Sequence, residues 1–259
     1  MRLLWPFIQP FGCTVGRITH RDKRVPLQVI PRRDRKLNSL IKEAPPSTHL
    51  KGAVLYRQGD PSTLVLLVQE GHVCLTLPKT GADRVRIVGV AGPWELLGLE
   101  AVTLHIPRRY TAITGSACTV LSLNGAAVFK TLRASPTTLS RYFESAERDL
   151  AEARLMGLSS GFSSKARIAD VLLDLAYRFG VGDGRRIRLD HWFTHQELAD
   201  LAGVHRSTVA TAMNDWIYDG VLKPLPRGLI VNKPGALRKA GTEASRKRKR
   251  KVAEPSATR

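Results

Sequence analysis

The segment FTHQELADLAGVHRSTVATAMNDW, residues 193–216, limits the possible folds of this chain more than any other stretch. Thr194 and Glu197 have the T-x-x-E spacing of a capping box, which predicts that a helix begins at His195. Gly203 can adopt the positive φ that a tight turn between two helices needs. The segment therefore predicts a helix-turn-helix, although two core helices that meet at a turn would show a similar pattern.

The second predicted helix begins near Arg206 and has two distinct faces. Val209, Met213 and Trp216 form the inward face, whereas the outer face carries small polar residues and one arginine. A DNA major groove accommodates such a face, and arginine pairs best with guanine there. The following strand–turn–strand, residues 221–232, predicts a wing. The predicted DNA-binding residues are Thr194, His195, Gln196, His205, Arg206, Ser207, Thr208, Thr211 and Arg227.

The net charge of +19 is concentrated at the two ends of the chain. Residues 1–43 carry ten Lys and Arg against three acids, and residues 236–259 carry nine against two. Basic tails attract polyanions without sequence preference, so the charge favours a nucleic-acid partner. A tail that only improves solubility is the alternative for residues 245–251.

The remaining sequence predicts an α+β chain with two domains. Short β-rich runs between residues 51 and 123, separated by Gly, Pro and Asp, predict an antiparallel sandwich or roll. The predicted divisions are a basic, mostly irregular extension over 1–43 with a short helix at its end, a β-roll over 44–134, a long dimerisation helix over 135–160, a winged helix-turn-helix over 163–235 and a basic disordered tail over 236–259.

An apolar and small-residue stripe with heptad spacing lies on the predicted long helix. A stripe of this kind is typical of paired helices, and a helix packed on its own domain is the alternative. The predicted dimer-interface residues are Leu139, Phe143, Ala146, Leu150, Ala153 and Gly157.

Several functional classes lack support in the sequence. The chain has no Walker, G-x-S-x-G or H-E-x-x-H motif, and Cys13, Cys74 and Cys118 lack metal-ligand spacing, so we expect neither an enzyme nor a metal site. We expect the histidines at positions 72, 105 and 191 to be solvated. No apolar run approaches membrane-spanning length, and we expect a cytoplasmic protein.

The order of these parts resembles the Crp/Fnr family of bacterial transcription regulators, over residues 51–237. The resemblance rests on YRQGD, QEGHVCLTL, RRYTAITGSACTVLSL, KARIADVLLDLAYRFG and the opening segment. The stretches LLDLAYRFGV and LIVNKPGALR are most similar to the cyanobacterial global nitrogen regulator branch. The resemblance implies a β-roll like that of cyclic-nucleotide-binding proteins, a homodimer, palindromic double-stranded DNA sites and RNA polymerase as a partner.

The resemblance also implies an effector site in the roll. Leu96 stands where cyclic-nucleotide binders have a glutamate, and Arg109 stands where they have a serine, and both departures argue against cyclic AMP as the effector. The nitrogen-regulator branch resembles a 2-oxoglutarate site, and two arginines suit a dicarboxylate. The implied effector-binding residues are Trp94, Glu95, Leu96, Leu97, Arg108 and Arg148, although Glu95 replaces a turn glycine. Another small anion and the absence of any effector are the alternatives. If Arg108 binds no effector, we expect it to form a surface salt bridge to Glu95 or Glu100.

These observations predict a homodimeric, sequence-specific transcription regulator, with a small anionic effector as an open possibility. An effector-independent or architectural DNA binder with a vestigial sensor is one alternative. A signalling module that binds a small molecule and a protein partner is another.

Overall fold

The computed structural model describes residues 35–78, 85–137, 139–140, 142–143, 163–182, 185–189, 193–226, 228–237 and 239. Its N-terminal part is a β-roll with three helices. The elements are α1 (Arg35–Glu43), β1 (Pro46–His49), β2 (Val54–Tyr56), β3 (Leu64–Glu70), β4 (Val73–Pro78), β5 (Val85–Ala91), β6 (Leu96–Leu97), α2 (Leu99–Leu104), β7 (Thr111–Thr114), β8 (Cys118–Asn124) and α3 (Gly125–Arg133).

Two four-stranded antiparallel sheets form the roll, in the orders β1-β8-β3-β6 and β2-β7-β4-β5. The alternating residues Val65 and Leu67 of β3 pack into one apolar cluster, and Leu66 and Val68 pack into another. Because successive strand side chains point to opposite faces, β3 contributes to both clusters. The predicted antiparallel roll is therefore confirmed.

The turn at residues 70–72 connects the two sheets instead of closing a hairpin. β3 pairs with β8 and β6, whereas β4 pairs with β5 and β7. Gly71 has a φ of 78°, and a Cβ there would lie 2.2 Å from the carbonyl oxygen of Ala117. The expectation that His72 is solvated is wrong, because this turn carries its side chain into the protein, where it is 4% exposed.

The helix α1 belongs to the roll. Leu37 is fully buried and packs with Val128 and Leu132 of α3 in one apolar cluster. Residues 35–43 therefore lie within the roll domain, not in a separate irregular extension, because the apolar face of the helix packs against α3 and β8. Residues 1–34 lie outside the described residues.

The C-terminal part is a winged helix-turn-helix. Its elements are α4 (Ser164–Phe179), β9 (Val181–Gly182), β10 (Ile187–Leu189), α5 (His195–Ala202), α6 (Arg206–Tyr218), β11 (Leu222–Leu225) and β12 (Gly228–Val231). The strands form one sheet in the order β11-β12-β10-β9. Leu237, in a helical stretch over 234–237, is fully buried in the core of this domain, so the domain extends beyond the predicted boundary at 235.

The predicted dimerisation stripe is described only at its first two positions. Leu139 packs against the core of the roll, and Phe143 is 57% exposed. Ala146, Leu150, Ala153 and Gly157 lie outside the described residues. The pairing of this helix stays a prediction.

Within the described ranges, the structure contains no helix that is both long and apolar enough to cross a membrane.

Candidate nucleic-acid interface and effector site

The first helix of the helix-turn-helix begins with the predicted capping box. The hydroxyl of Thr194 accepts a hydrogen bond from the Glu197 amide at 3.1 Å, and the Glu197 carboxylate accepts one from the Thr194 amide at 2.6 Å. These bonds satisfy two backbone N–H groups that the helix itself leaves unpaired. The box fixes the point at which α5 begins.

The turn between α5 and α6 is built on Gly203, whose φ is 61°. The amide of Val204 donates to the carbonyl oxygen of Ala199 at 2.9 Å, which closes the turn. Ala199 is fully buried, and its small side chain lets α6 cross close to α5. The sequence prediction for this turn is confirmed.

The two faces of α6 have the predicted character. Val209, Met213 and Trp216 are at most 3% exposed and pack in the domain core. The outer face is solvent-exposed at His205, Arg206, Ser207, Thr211, Asn214 and Tyr218. The helix therefore presents one cation and several hydrogen-bonding groups to solvent over its whole length.

Tyr218 extends this outer face and is absent from the predicted site. It is 92% exposed at the end of α6. The sequence contains a signal for it, because Ser207, Thr211, Asn214 and Tyr218 follow the 4-3-4 spacing of one helix face.

The remaining described residues of the predicted DNA-binding set lie at the start of α5 and in the first turn of α6. Gln196 is exposed, and its amide donates to the Asp200 carboxylate at 2.9 Å. His195 and Thr208 are half-buried. Arg227, at the predicted tip of the wing, lies outside the described residues. Their contacts with DNA stay predictions.

Arg108 lies inside the roll. Its side chain is 5% exposed, its Nη2 donates to the carbonyl oxygen of Leu64 at 2.5 Å, and its Cζ lies 4.3 Å from the centre of the Tyr56 ring. Nη1 is buried without a hydrogen-bond partner and lies against Gly98, where a Cβ would come within 1.3 Å of it. Burial, with a smaller contribution from Glu100, raises the pKa of the Tyr56 hydroxyl.

The interpretation of Arg108 as a surface salt bridge is wrong. The guanidinium is buried, and among the described residues no carboxylate lies within ion-pair distance of it. Among the residues that the structure describes, the Arg108 guanidinium is thus a buried cation without a compensating carboxylate. A bound anion would neutralise it.

The other predicted effector residues are engaged within the chain. The Trp94 amide donates to Val68 at 2.7 Å, the Glu95 amide donates to Gly92 at 3.1 Å, and the Glu95 carboxylate pairs with Arg178. The side chains of Leu96 and Leu97 are buried in the two clusters of the roll. Arg148 lies outside the described residues. Their effector contacts stay predictions.

The cysteines of the described residues have the character of structural thiols. Burial raises the pKa of Cys74 to about 12 and that of Cys118 to about 11, so both are protonated and unreactive at neutral pH. The described part of the chain also contains no group of His, Cys, Asp and Glu that could hold a metal ion.

Two domain families match the chain in this order. Residues 47–135 match the cyclic nucleotide-binding domain, and residues 166–240 match the Crp-like helix-turn-helix domain. The chain belongs to the Crp/Fnr family of transcription regulators. Each domain of this Crp/Fnr regulator thus matches a domain family, and the described residues of each domain have the predicted fold.

Two relatives that match over most of their length support this assignment. The chain is 23% identical over 202 residues to the CRP-like cAMP-activated global transcriptional regulator of Mycobacterium tuberculosis, covering 75% of this chain and 87% of the relative. It is 29% identical over 188 residues to the cyclic AMP receptor protein of Thermus thermophilus, covering 72% of this chain and 83% of the relative. These relatives are regulators, not enzymes.

The solved structure of FixK2 from Bradyrhizobium japonicum has the same fold. It superposes with a TM-score of 0.65 at 18% identity, over 76% of this chain and 96% of that chain.

Proposed function

We propose that this Crp/Fnr regulator acts as a homodimer that reads a palindromic DNA site with two copies of α6. The exposed outer face of α6 is the observation that carries the proposal. Arg206 stands in the first turn of the helix, where its guanidinium can reach a guanine edge in the major groove. The second arginine common in the family is replaced by Thr211, so the half-site differs from the usual family sequence.

The exposure of Phe143 supports the dimer. A side chain of this size that is 57% exposed gains free energy when a second copy of the helix covers it. Dimerisation would place two α6 helices in successive major grooves, about 34 Å apart. RNA polymerase is the partner that family membership suggests for a promoter-bound dimer.

The proposed effector is a small anion at Arg108. The support is the buried guanidinium with an unpartnered Nη1. The sequence similarity to the nitrogen-regulator branch makes 2-oxoglutarate the first compound to test. Cyclic AMP, which the names of both relatives include, fits less well because the Glu95 carboxylate is paired with Arg178.

The test uses two matched arginine variants on DNA selected by the wild-type chain. Arg206→Ala should weaken binding to the selected site by about 1–3 kcal/mol, because it removes the base contact. Arg57→Ala removes one exposed arginine from the roll and should leave affinity unchanged. Equal losses for both variants would contradict base reading by Arg206.

The effector is tested separately by titration calorimetry with 2-oxoglutarate. Heat of binding for the wild-type chain that disappears in Arg108→Gln supports the anion site. No binding by the wild-type chain would favour an effector-independent regulator.

A further inference from the structure

The β-roll and the DNA-binding domain meet in a contact formed by β5 and the loop after it. The roll contributes Gly92 and four side chains. The DNA-binding domain contributes residues from the last turn of α4, from the loop before α5 and from α5 itself. We call these residues the domain contact: His72, Ile87, Val90, Gly92 and Glu95 of the roll with Arg178, Phe179, Phe193 and Asp200 of the DNA-binding domain.

A buried ion pair lies at the centre of the domain contact. Nη2 of Arg178 donates to both carboxylate oxygens of Glu95, at 2.9 and 3.0 Å, and also to the carbonyl oxygen of Val90. Nη1 of Arg178 donates to Asp174 on the same helix at 3.2 Å. The side chains of Arg178 and Glu95 are 7% and 1% exposed. The pair thus ties the last turn of α4 to two places on the roll.

Three aromatic rings pack beside the ion pair. The His72 ring lies 5.1 Å from Phe193 and 6.3 Å from Phe179, and the two phenylalanine rings are 6.0 Å apart. A Cβ at Gly92 would lie 2.2 Å from the Phe179 ring, so only glycine allows this close approach. The packing leaves little freedom in how the two domains fit together.

A third set of bonds reaches the helix-turn-helix itself. The amide of Ile87 donates to the Asp200 carboxylate at 3.5 Å, and Nε of Arg86 donates to the Asp200 carbonyl at 3.4 Å. Asp200 lies on α5, three residues before the turn glycine Gly203. The domain contact therefore extends from the end of α4 to the turn before α6, while the outer face of α6 stays exposed.

The buried ion pair is formed by one side chain from each domain. A buried charge that loses its partner is costly, and Glu95 and Arg178 are brought together only when the domains are docked in this way. We propose that Glu95 and Arg178 are positioning residues, which hold the DNA-binding domain against the roll in the orientation that α6 uses to read DNA. The statement that α6 reads DNA in this orientation rests on the proposed function.

Charge reversal tests the positioning role in the full chain at about pH 8.5, above the pKa of Glu95, so that the wild-type carboxylate is charged. Glu95→Lys and Arg178→Glu each place like charges in the domain contact, whereas the double variant restores an opposite pair. Glu43→Lys is the matched control, because it makes the same change of charge at an exposed glutamate on α1 of the roll. Hydrogen exchange of residues 85–97 and 174–182 reports docking, and exchange of β8 and α6 shows that each domain is still folded.

Each single reversal should speed exchange in the two contact segments by about tenfold and weaken binding to the selected DNA site by about tenfold. The double variant should recover most of both effects, and the control should show neither. Unchanged exchange in both single variants would overturn the proposed contact. So would a double variant whose effect on the exchange rates equals the combined effects of the two single variants. Faster exchange with unchanged DNA affinity would overturn the positioning role.

A wild-type chain that selects no DNA motif would contradict the proposed function instead. The exchange data would then still decide whether Glu95 and Arg178 hold the two domains together.

Discussion

Gly98→Ala should destabilise the roll by an amount that can be worked out from two features of the structure. Gly98 has a φ of 81°, and a left-handed conformation costs an L-residue about 1–2 kcal/mol. An added Cβ would also lie 1.3 Å from Nη1 of Arg108, so the guanidinium must leave its site and lose the bond to Leu64. A hydrogen bond to a charged group contributes about 1.5–3 kcal/mol. Together these predict a loss of about 2.5–5 kcal/mol.

Gly52→Ala is the matched control. Gly52 has a φ of 88°, and a Cβ there would meet no atom within 4 Å, so this variant carries the backbone strain alone. Urea unfolding followed by circular dichroism should give a loss of about 1–2 kcal/mol for Gly52→Ala. In an Arg108→Ala background, the loss in free energy of unfolding caused by Gly98→Ala should fall to the same value, because the added Cβ no longer collides with a guanidinium. A Gly98→Ala loss equal to that of Gly52→Ala in the wild-type background would refute the placement of Arg108.

Three further predictions concern other elements. Leu37→Ala should lower the free energy of unfolding of the roll by about 2–5 kcal/mol in urea titrations, because Leu37 is fully buried; no loss would contradict the packing of α1. Thr194→Ala should cost about 1 kcal/mol by removing the helix cap, whereas Thr194→Ser should be nearly neutral in the same assay. Burial raises the pKa of Glu95 from 4.5 to about 7. The attraction of Arg178 lowers this pKa by less than burial raises it, and repulsion by Asp174 raises it slightly. The folded protein therefore binds more protons than the unfolded chain between about pH 4.5 and 7, so the free energy of unfolding should rise as the pH falls through this range; Glu95→Gln should lose this dependence, which melting temperatures from about pH 5 to 8 would show.

The helix-turn-helix could be predicted because its signals are local. The Thr194–Glu197 spacing marks the first turn, and Gly203 marks the turn between helices, so neighbouring residues determine both features. The β-rich run at β3, bounded by turn residues, predicted a strand for the same reason. Tyr218 was within reach of the same reasoning, since it continues the spacing of the outer face of α6.

The domain contact could not be predicted in this way. Glu95 and Arg178 are 83 residues apart, and no local period links them. The resemblance assigned Glu95 to an effector turn, and only the fold brings Arg178 to its carboxylate. His72 was expected to be solvated because it follows a turn glycine, but the turn directs it toward Phe193 of the other domain.

Selection of DNA from a random duplex library by the purified full-length chain tests the central claim most directly. A homodimer that reads DNA with α6 should enrich a palindromic motif whose half-sites are about one helical turn, 34 Å, apart. The motif should be lost with Arg206→Ala and kept with Arg57→Ala. Salt-sensitive binding that enriches no motif would contradict sequence-specific reading and would assign the affinity to the basic charge of the chain.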